Sequence, residues 1–242
     1  MAITADQKIG DIAAANPRAT RVLEQAGVDY CCGGQKSLHD ACMHAGVSEE
    51  EILQRLRENQ ASVGENDTNW VAAPLSDLTE HIRAKHHHYV REAIERIQPL
   101  ANKVKGKHGA NHPELAEIDQ LFKQVSREML AHMQKEEMIL FPFIEALERA
   151  SKGLEKIEPP FFQTVRNPVH AMMEEHDASA ALARQIREKS AGYAPPQDAC
   201  TSYQALYREL QEFETDLHQH VHLENNILFP RAVELEPTVG LG

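Results

Sequence analysis

Aromatic side chains are scarce in this 242-residue chain, at 5% of residues, and Trp70 is the single tryptophan. With 42% hydrophobic content, that scarcity favours helices built on Leu, Ile, Ala and Met over a β-sandwich. Basic residues are outnumbered: Lys and Arg total 25 against 37 Asp and Glu, for a formal charge of −12. Gripping phosphates needs a basic face, so nucleic acid is not an expected partner. Long apolar runs are missing, which argues against a bilayer span. The first residues lack a basic segment followed by an apolar one, so no secretory signal is expected. Cysteines number four, Cys31, Cys32, Cys42 and Cys200. They are too few and too scattered for a disulfide scaffold, and a reducing, cytoplasmic setting is the expectation.

What the chain does have is a phrase used twice. His132-Met-Gln-Lys-Glu136-Glu-Met-Ile-Leu-Phe-Pro142 and His220-Val-His-Leu-Glu224-Asn-Asn-Ile-Leu-Phe-Pro230 share the frame H-x-x-x-E-x-x-I-L-F-P. On a helix, positions i and i+4 lie on one face, so each His and Glu point the same way. The trailing Ile-Leu-Phe is too apolar for water, which turns that face inward. Two His and two Glu facing a core require a counter-charge, because a buried charge persists only when paired or bound to metal. Imidazole with carboxylate suits iron or another first-row divalent metal.

The repetition extends beyond the phrase. The intervals from His87 to His132, His132 to His176 and His176 to His220 are 45, 44 and 44 residues, and His81 to His170 matches His87 to His176 at 89. A lone histidine on an apolar face is ordinarily a hydrogen-bonded core residue. Even spacing together with a duplicated phrase instead predicts a duplicated helical hairpin, four helices each offering one His to a common centre.

Along the chain, residues 1–60 predict a small helical unit. Asn16-Pro17 starts a helix that Gly27 ends. Asp29-Tyr-Cys31-Cys32-Gly-Gly34 predicts an accessible turn whose glycines permit unusual backbone angles. A helix over about 36–45 stops at Gly46, and Ser48 with Glu51 forms a capping box for a third. Residues 61–73 are polar and read as a linker. Residues 74–242 predict an up-down-up-down four-helix bundle with short connections. Its first helix is interrupted or kinked at Pro99, its last opens at Pro195-Pro196, and Pro142 and Pro230 bend their helices at equivalent places.

The expected metal ligands are His87, His132, Glu136, His176, His220 and Glu224. Two glutamates able to bridge make a dinuclear centre more natural than a single ion, with His87 and His132 on one metal and His176 and His220 on the other. In the first bundle helix His86, His87 and His88 all offer themselves. His87 shares a face with Val90, Ile94 and Ile97, while His86 also fits an apolar face. Glu137, His218 and His222 are read as surface residues. The zinc-hydrolase signature H-E-x-x-H is absent. Adjacent Cys31 and Cys32 suit a redox or iron-handling role, and Cys42 and Cys200 read as buried small hydrophobes.

His dominant, with Glu following by four, is the pattern of hemerythrin, an oxo-bridged di-iron bundle. Together with Asp29-Tyr-Cys-Cys-Gly-Gly34 and Glu175-His176-Asp177, the chain resembles the family that repairs iron centres, over nearly its whole length. The resemblance implies an all-α, hemerythrin-like four-helix bundle preceded by a small helical domain. It implies two iron ions, oxo- or hydroxo-bridged, on the six residues above, and it settles the first helix on His87. It implies repair of iron–sulfur clusters damaged by nitric oxide or oxidants, with Cys31 and Cys32 as the functional cysteine pair. Damaged iron–sulfur proteins are then the partners, and nitric oxide or oxygen species the small ligands. Nitric oxide reduction at the centre, sensing or carriage of those gases, and a homodimer are kept beside this reading. One departure matters: hemerythrins carry a further His four residues from a ligand, and Met172 and Ala180 stand there around His176. Fewer ligands favour reaction or iron release over reversible oxygen carriage.

Overall fold

The computed structural model describes residues 3–60 and 68–240. Every regular element among the described residues is helical, apart from an isolated antiparallel bridge between Lys8 and Ser37. The all-α expectation holds, and a helical bundle with a helical N-terminal region accounts for the elements. Contacts divide the chain into two compact units: Met1–Glu80 with Pro142–Val169 and His218–Gly242, and His81–Phe141 with His170–Leu217.

In the first unit, α1 (Ile9–Ala15), α2 (Pro17–Gln25), α3 (Leu38–Ala45) and α4 (Glu49–Gln60) share one core. Ile9, Leu23, Leu38 and Leu56 are fully buried in it, each contributing about 1.5–3 kcal/mol by leaving water. The predicted boundaries have the expected chemistry. Asn16 Oδ1 accepts the Arg18 N–H at 3.0 Å, and Ser48 Oγ accepts from Glu51 N at 3.3 Å. Gly27 and Gly46 adopt positive φ of 67° and 69°, where a Cβ would be strained. α1 is not among the helices expected from the sequence. Of the expected linker, residues 61–67 lie outside the described residues. The rest is held rather than free: Arg231 donates to Trp70 O at 2.9 Å and Ala73 O at 2.7 Å.

The longer helices follow in chain order. α5 (Leu75–His81) runs through a π-helical stretch, Ile82–His87, into α6 (His88–His108). α7 (Glu114–Lys135) runs through a π-helical stretch, Glu136–Leu140, into α8 (Phe141–Ser151). α9 is Arg166–Lys189; α10 (Thr201–Leu223) runs through Glu224–Leu228, again π-helical, into α11 (Phe229–Leu235). Buried carboxylates fasten two starts. Glu148 accepts from Leu75 N and Ser76 N at 3.0 Å each, and Glu236 accepts from Val165 N at 2.7 Å. Caps of this kind are worth about 1 kcal/mol. In the second unit α6 packs on α7, and Phe122 meets the Phe213 ring edge-on at 5.4 Å.

The expectations about prolines meet different outcomes. Pro99 lies inside α6 without ending it. Both Pro99 and Glu95, whose carbonyl it deprives of a donor, face solvent, where water can take that bond. The last long helix opens at Thr201, not at Pro195-Pro196. Ahead of Pro142 and Pro230, where a bend is expected, the helices run on through a wide turn. A proline cannot donate to the carbonyl four residues back and clashes with it, and i→i+5 spacing relieves both problems. Phe141 N–H reaches Glu136 O and Phe229 N–H reaches Glu224 O, closing the two turns identically.

Candidate metal centre

Four of the six expected ligands belong to the second unit, and its helices bring them together. His87 ends the first π-helical stretch, His132 lies in the last turn of α7, Glu136 begins the next π-helical stretch, and His176 is midway along α9. His87, Glu136 and His176 are fully buried and His132 nearly so. Glu136 divides its carboxylate: Oε2 lies 3.4 Å from His87 Nε2 and Oε1 lies 3.3 Å from His132 Nε2. His132 Nε2 and His176 Nε2 approach to 2.8 Å. His132 and His176 therefore face one point, which corrects the expected sharing of a metal by His87 and His132.

The remaining two ligands lie in the first unit. His220 and Glu224 are fully buried, and Nε2 stands 3.1 Å from Oε1. This repeats the His132–Glu136 geometry one helical turn apart.

The outer faces of the rings decide what the inner faces can do. His87 Nδ1 is 2.7 Å from Glu137 Oε1, and Arg91 holds both oxygens of that carboxylate at 2.8 and 2.9 Å. His132 Nδ1 is 2.9 Å from Glu175 Oε2, whose other oxygen meets Lys135. Burial pushes both carboxyls up, but the cation and ring bonds win and hold Glu137 and Glu175 below the usual range. As ionised acceptors they take the Nδ1–H of each ring, which leaves the Nε2 lone pair pointing inward. The interior then presents imidazole lone pairs to the buried carboxylate of Glu136. Acceptors facing acceptors in a dry interior repel unless a cation lies among them. The residues fit a divalent metal.

Glu137 is thus a hydrogen-bond partner of His87 and not a solvated residue. It is 27% exposed, with its carboxylate turned to the ring. The sequence carries a signal for this: an acidic residue directly beside a ligand, Glu137 after Glu136 and Glu175 before His176. His86 is buried, but its Nδ1 turns to Asp216 Oδ1 at 2.8 Å, while His88 is exposed beside Glu92. His222 is buried, contrary to expectation, and burial lowers it to about 4. Its ring meets Tyr30 edge-on at 5.4 Å. His218 is only partly exposed and bonds Glu24 at 2.9 Å.

The cysteine turn also departs from expectation. Asp29 Oδ1 accepts from Cys31 N at 3.1 Å and Cys32 N at 3.0 Å, folding a tight Asx turn. Cys31 is buried and Cys32 half-buried, so only one thiol of the pair is accessible. The hydrogen bond with Cys32, followed by burial, raises the Cys31 thiol well above its ordinary range. Gly33 and Gly34 do not take positive φ; their small size serves close approach. A Cβ at Gly34 would fall 2.0 Å from Asn226 Oδ1, and one at Gly33 2.8 Å from Asp29 O. Cys42 is buried as expected. Cys200 is half-buried before α10, with His108 Nε2 3.2 Å from its sulfur. The Tyr203 backbone N–H, then His108, bring it down to about 7.

Residues 78–232 match the hemerythrin HHE cation-binding domain, and residues 5–60 match ScdA_N, a domain of unknown function (DUF542). A Haemophilus influenzae protein named "Probable iron-sulfur cluster repair protein" is 34% identical over 234 residues, 95% of this chain and 97% of that protein. "Iron-sulfur cluster repair protein YtfE" of Pectobacterium carotovorum is 33% identical over 235 residues, 96% of this chain and 98% of that protein. The protein of that name from Salmonella newport is 34% identical over 230 residues, 94% of this chain and 97% of that protein. Two matched domains, and relatives aligned nearly end to end, place this chain in the hemerythrin-like family of ScdA- and YtfE-type proteins.

Proposed function

We propose that this chain is a non-haem di-iron protein that restores iron–sulfur clusters damaged by nitric oxide or oxidants. The observation that carries the reading is the divided carboxylate of Glu136, one oxygen toward His87 and the other toward His132. A carboxylate with one oxygen toward each of two separate His rings suits a bridge between two metals. Glu224, at the equivalent place in the repeat, is the second proposed bridge. His132 and His176 would hold one iron and His87 the other, with His220 the remaining proposed ligand. His and carboxylate donors suit iron, and relatives named for iron–sulfur cluster repair support it over zinc.

The irons supply redox chemistry and a source of iron for a client. The chain's residues position and regulate them. Glu137 and Glu175, at Nδ1 of His87 and His132, orient the two rings with Nε2 inward and make those nitrogens stronger donors to a metal. Leu140 and Phe141 after Glu136, and Ile227, Leu228 and Phe229 after Glu224, are buried and help to keep water from the site. Cys32, the more open thiol, is proposed to meet iron, nitric oxide or a client first, and Cys31 to follow once uncovered. The proposed organisation is residues 1–60 as the cysteine domain, 61–73 as linker and 74–242 as the iron bundle. The proposed setting is a reducing cytoplasm, in keeping with four free thiols. No helix among the described residues is long and apolar enough to cross a membrane.

Metal analysis with a near-ultraviolet and visible spectrum tests the centre. Two irons per chain with oxo-to-iron bands are expected, and one zinc with no such bands overturns the reading. Anaerobic mixing with a nitric oxide-damaged ferredoxin tests repair. Return of the cluster spectrum is expected; nitrous oxide released without any cluster recovery would make the protein a nitric oxide reductase instead.

A further inference from the structure

Asn226 is the third residue of the π-helical stretch Glu224–Leu228, and its side chain reaches into the N-terminal segment. Its Nδ2 lies 3.0 Å from Tyr30 O, 3.2 Å from Cys31 O and 3.0 Å from His222 Nδ1. Two protons serve these three acceptors, one to the ring and one shared between the carbonyls. The passage is built for it. Gly10 N donates to Gly34 O at 2.9 Å, and a Cβ on Gly10 or Gly34 would lie 2.4 or 2.0 Å from Asn226 Oδ1. No larger residue fits at either glycine with Asn226 in place. In the first copy of the phrase Met138 stands at this position and is 69% exposed, so the contact is not a general property of the motif.

Asn226 is also tied to the ligand. The Phe229 N–H bond to Glu224 O closes a ring around both residues. Pro230, whose ring presses on the Asn226 carbonyl in an ordinary helix, holds the ring wide. A shift of Glu224 therefore moves Asn226 with it. We infer that Asn226 is a latch that seats the Cys31–Cys32 turn on the turn carrying Glu224, so that loss of iron from Glu224 loosens the cysteine turn and exposes Cys31. The coupling half rests on the di-iron reading; the seating half stands on the contacts alone.

The test follows Cys31 alkylation by iodoacetamide in the full chain, iron-loaded and chelator-stripped, located by peptide mass spectrometry with iron content measured in parallel. In the loaded wild type Cys31 reacts slowly, and stripping accelerates it. Asn226→Ala removes the bonds to Tyr30 O, Cys31 O and His222, so Cys31 should react about tenfold faster or more while iron is still bound. Stripping should then add nothing. Gly34→Ala, which expels Asn226 from the other side, should reproduce the effect and serves if Asn226→Ala does not fold. Wild-type Cys31 protection in both variants, with native circular dichroism, overturns the latch. Equal acceleration on stripping in wild type and variant overturns the coupling. If no form binds iron, the di-iron reading and the coupling fall together, and the difference in Cys31 protection between wild type and the two variants decides the seating by itself.

Discussion

Between Glu136 and Phe141 the first copy of the repeated phrase leaves Met138 and Ile139 exposed. Between Glu224 and Phe229 the second copy buries Ile227 and sends Asn226 to Tyr30 and Cys31. Both copies keep the His-to-Glu approach, the π-helical turn and the proline. They diverge at positions that face away from the candidate ligands, Met138 against Asn226 among them. In the first copy the neighbouring residue, Glu137, turns to the ligand His87. In the second, α1 packs against the π-helical turn, and Ile227 and Asn226 serve that contact. The difference teaches that the duplicated part of the motif concerns coordination, and that the residues free to vary took up separate tasks.

The largest expected effect tests what the copies share. Glu136→Leu and Glu224→Leu should each reduce iron per chain from two toward none, since a bridge holds both metals. His176→Leu should cost less. A Glu136→Leu protein that retains one iron while Glu224→Leu loses both would break the equivalence of the copies. Next comes what the first copy has alone. Glu137→Gln or Glu175→Gln leaves the ligands in place but weakens ring orientation, so iron affinity should fall about 10–100-fold. A chelator competition titration measures it, and an unchanged affinity would reduce these carboxylates to surface ion pairs.

The two units also treat their thiols oppositely, Cys31 being raised and Cys200 lowered to about 7. A lowered thiol is ionised above its value and reprotonates below it. Cys200 alkylation should therefore outpace Cys31 at neutral pH and fall away as the pH drops below about 7. His108→Ala removes one stabiliser of the thiolate, and the rate at neutral pH should drop severalfold. A flat pH profile for Cys200 would sink the assignment. The smallest effect is expected at Met138→Asn, which imitates the second copy where nothing awaits it. Stability by urea unfolding should stay within about 0.5 kcal/mol of wild type, and Cys31 protection should not change.

Helix content, the boundaries at Asn16, Gly27, Gly46 and Ser48, and the six candidate ligands are all legible in the chain. Each rests on local rules: caps act within one turn, and a His four residues before a Glu shares its face in any helix. The repeat multiplies that local signal. The prolines are legible as disturbances but not as kinds of disturbance. Whether a lost hydrogen bond yields a bend, a wide turn or nothing depends on which side of the helix meets water, as Pro99 and Pro142 illustrate.

By itself the sequence determined what can be decided within one helix: which side chains are candidate ligands, and that they come in two matched sets. Tertiary structure alone decided who stands behind them. Glu175 reaches His132 across 43 residues, Glu137 reaches His87 across 50, and Asn226 reaches Tyr30 across 196. A side chain's partner at such separations is set by how helices pack, and a solvated acid and an orienting one look alike until they do. The same holds for His222 and Cys31, polar by composition and buried only because another part of the fold covers them.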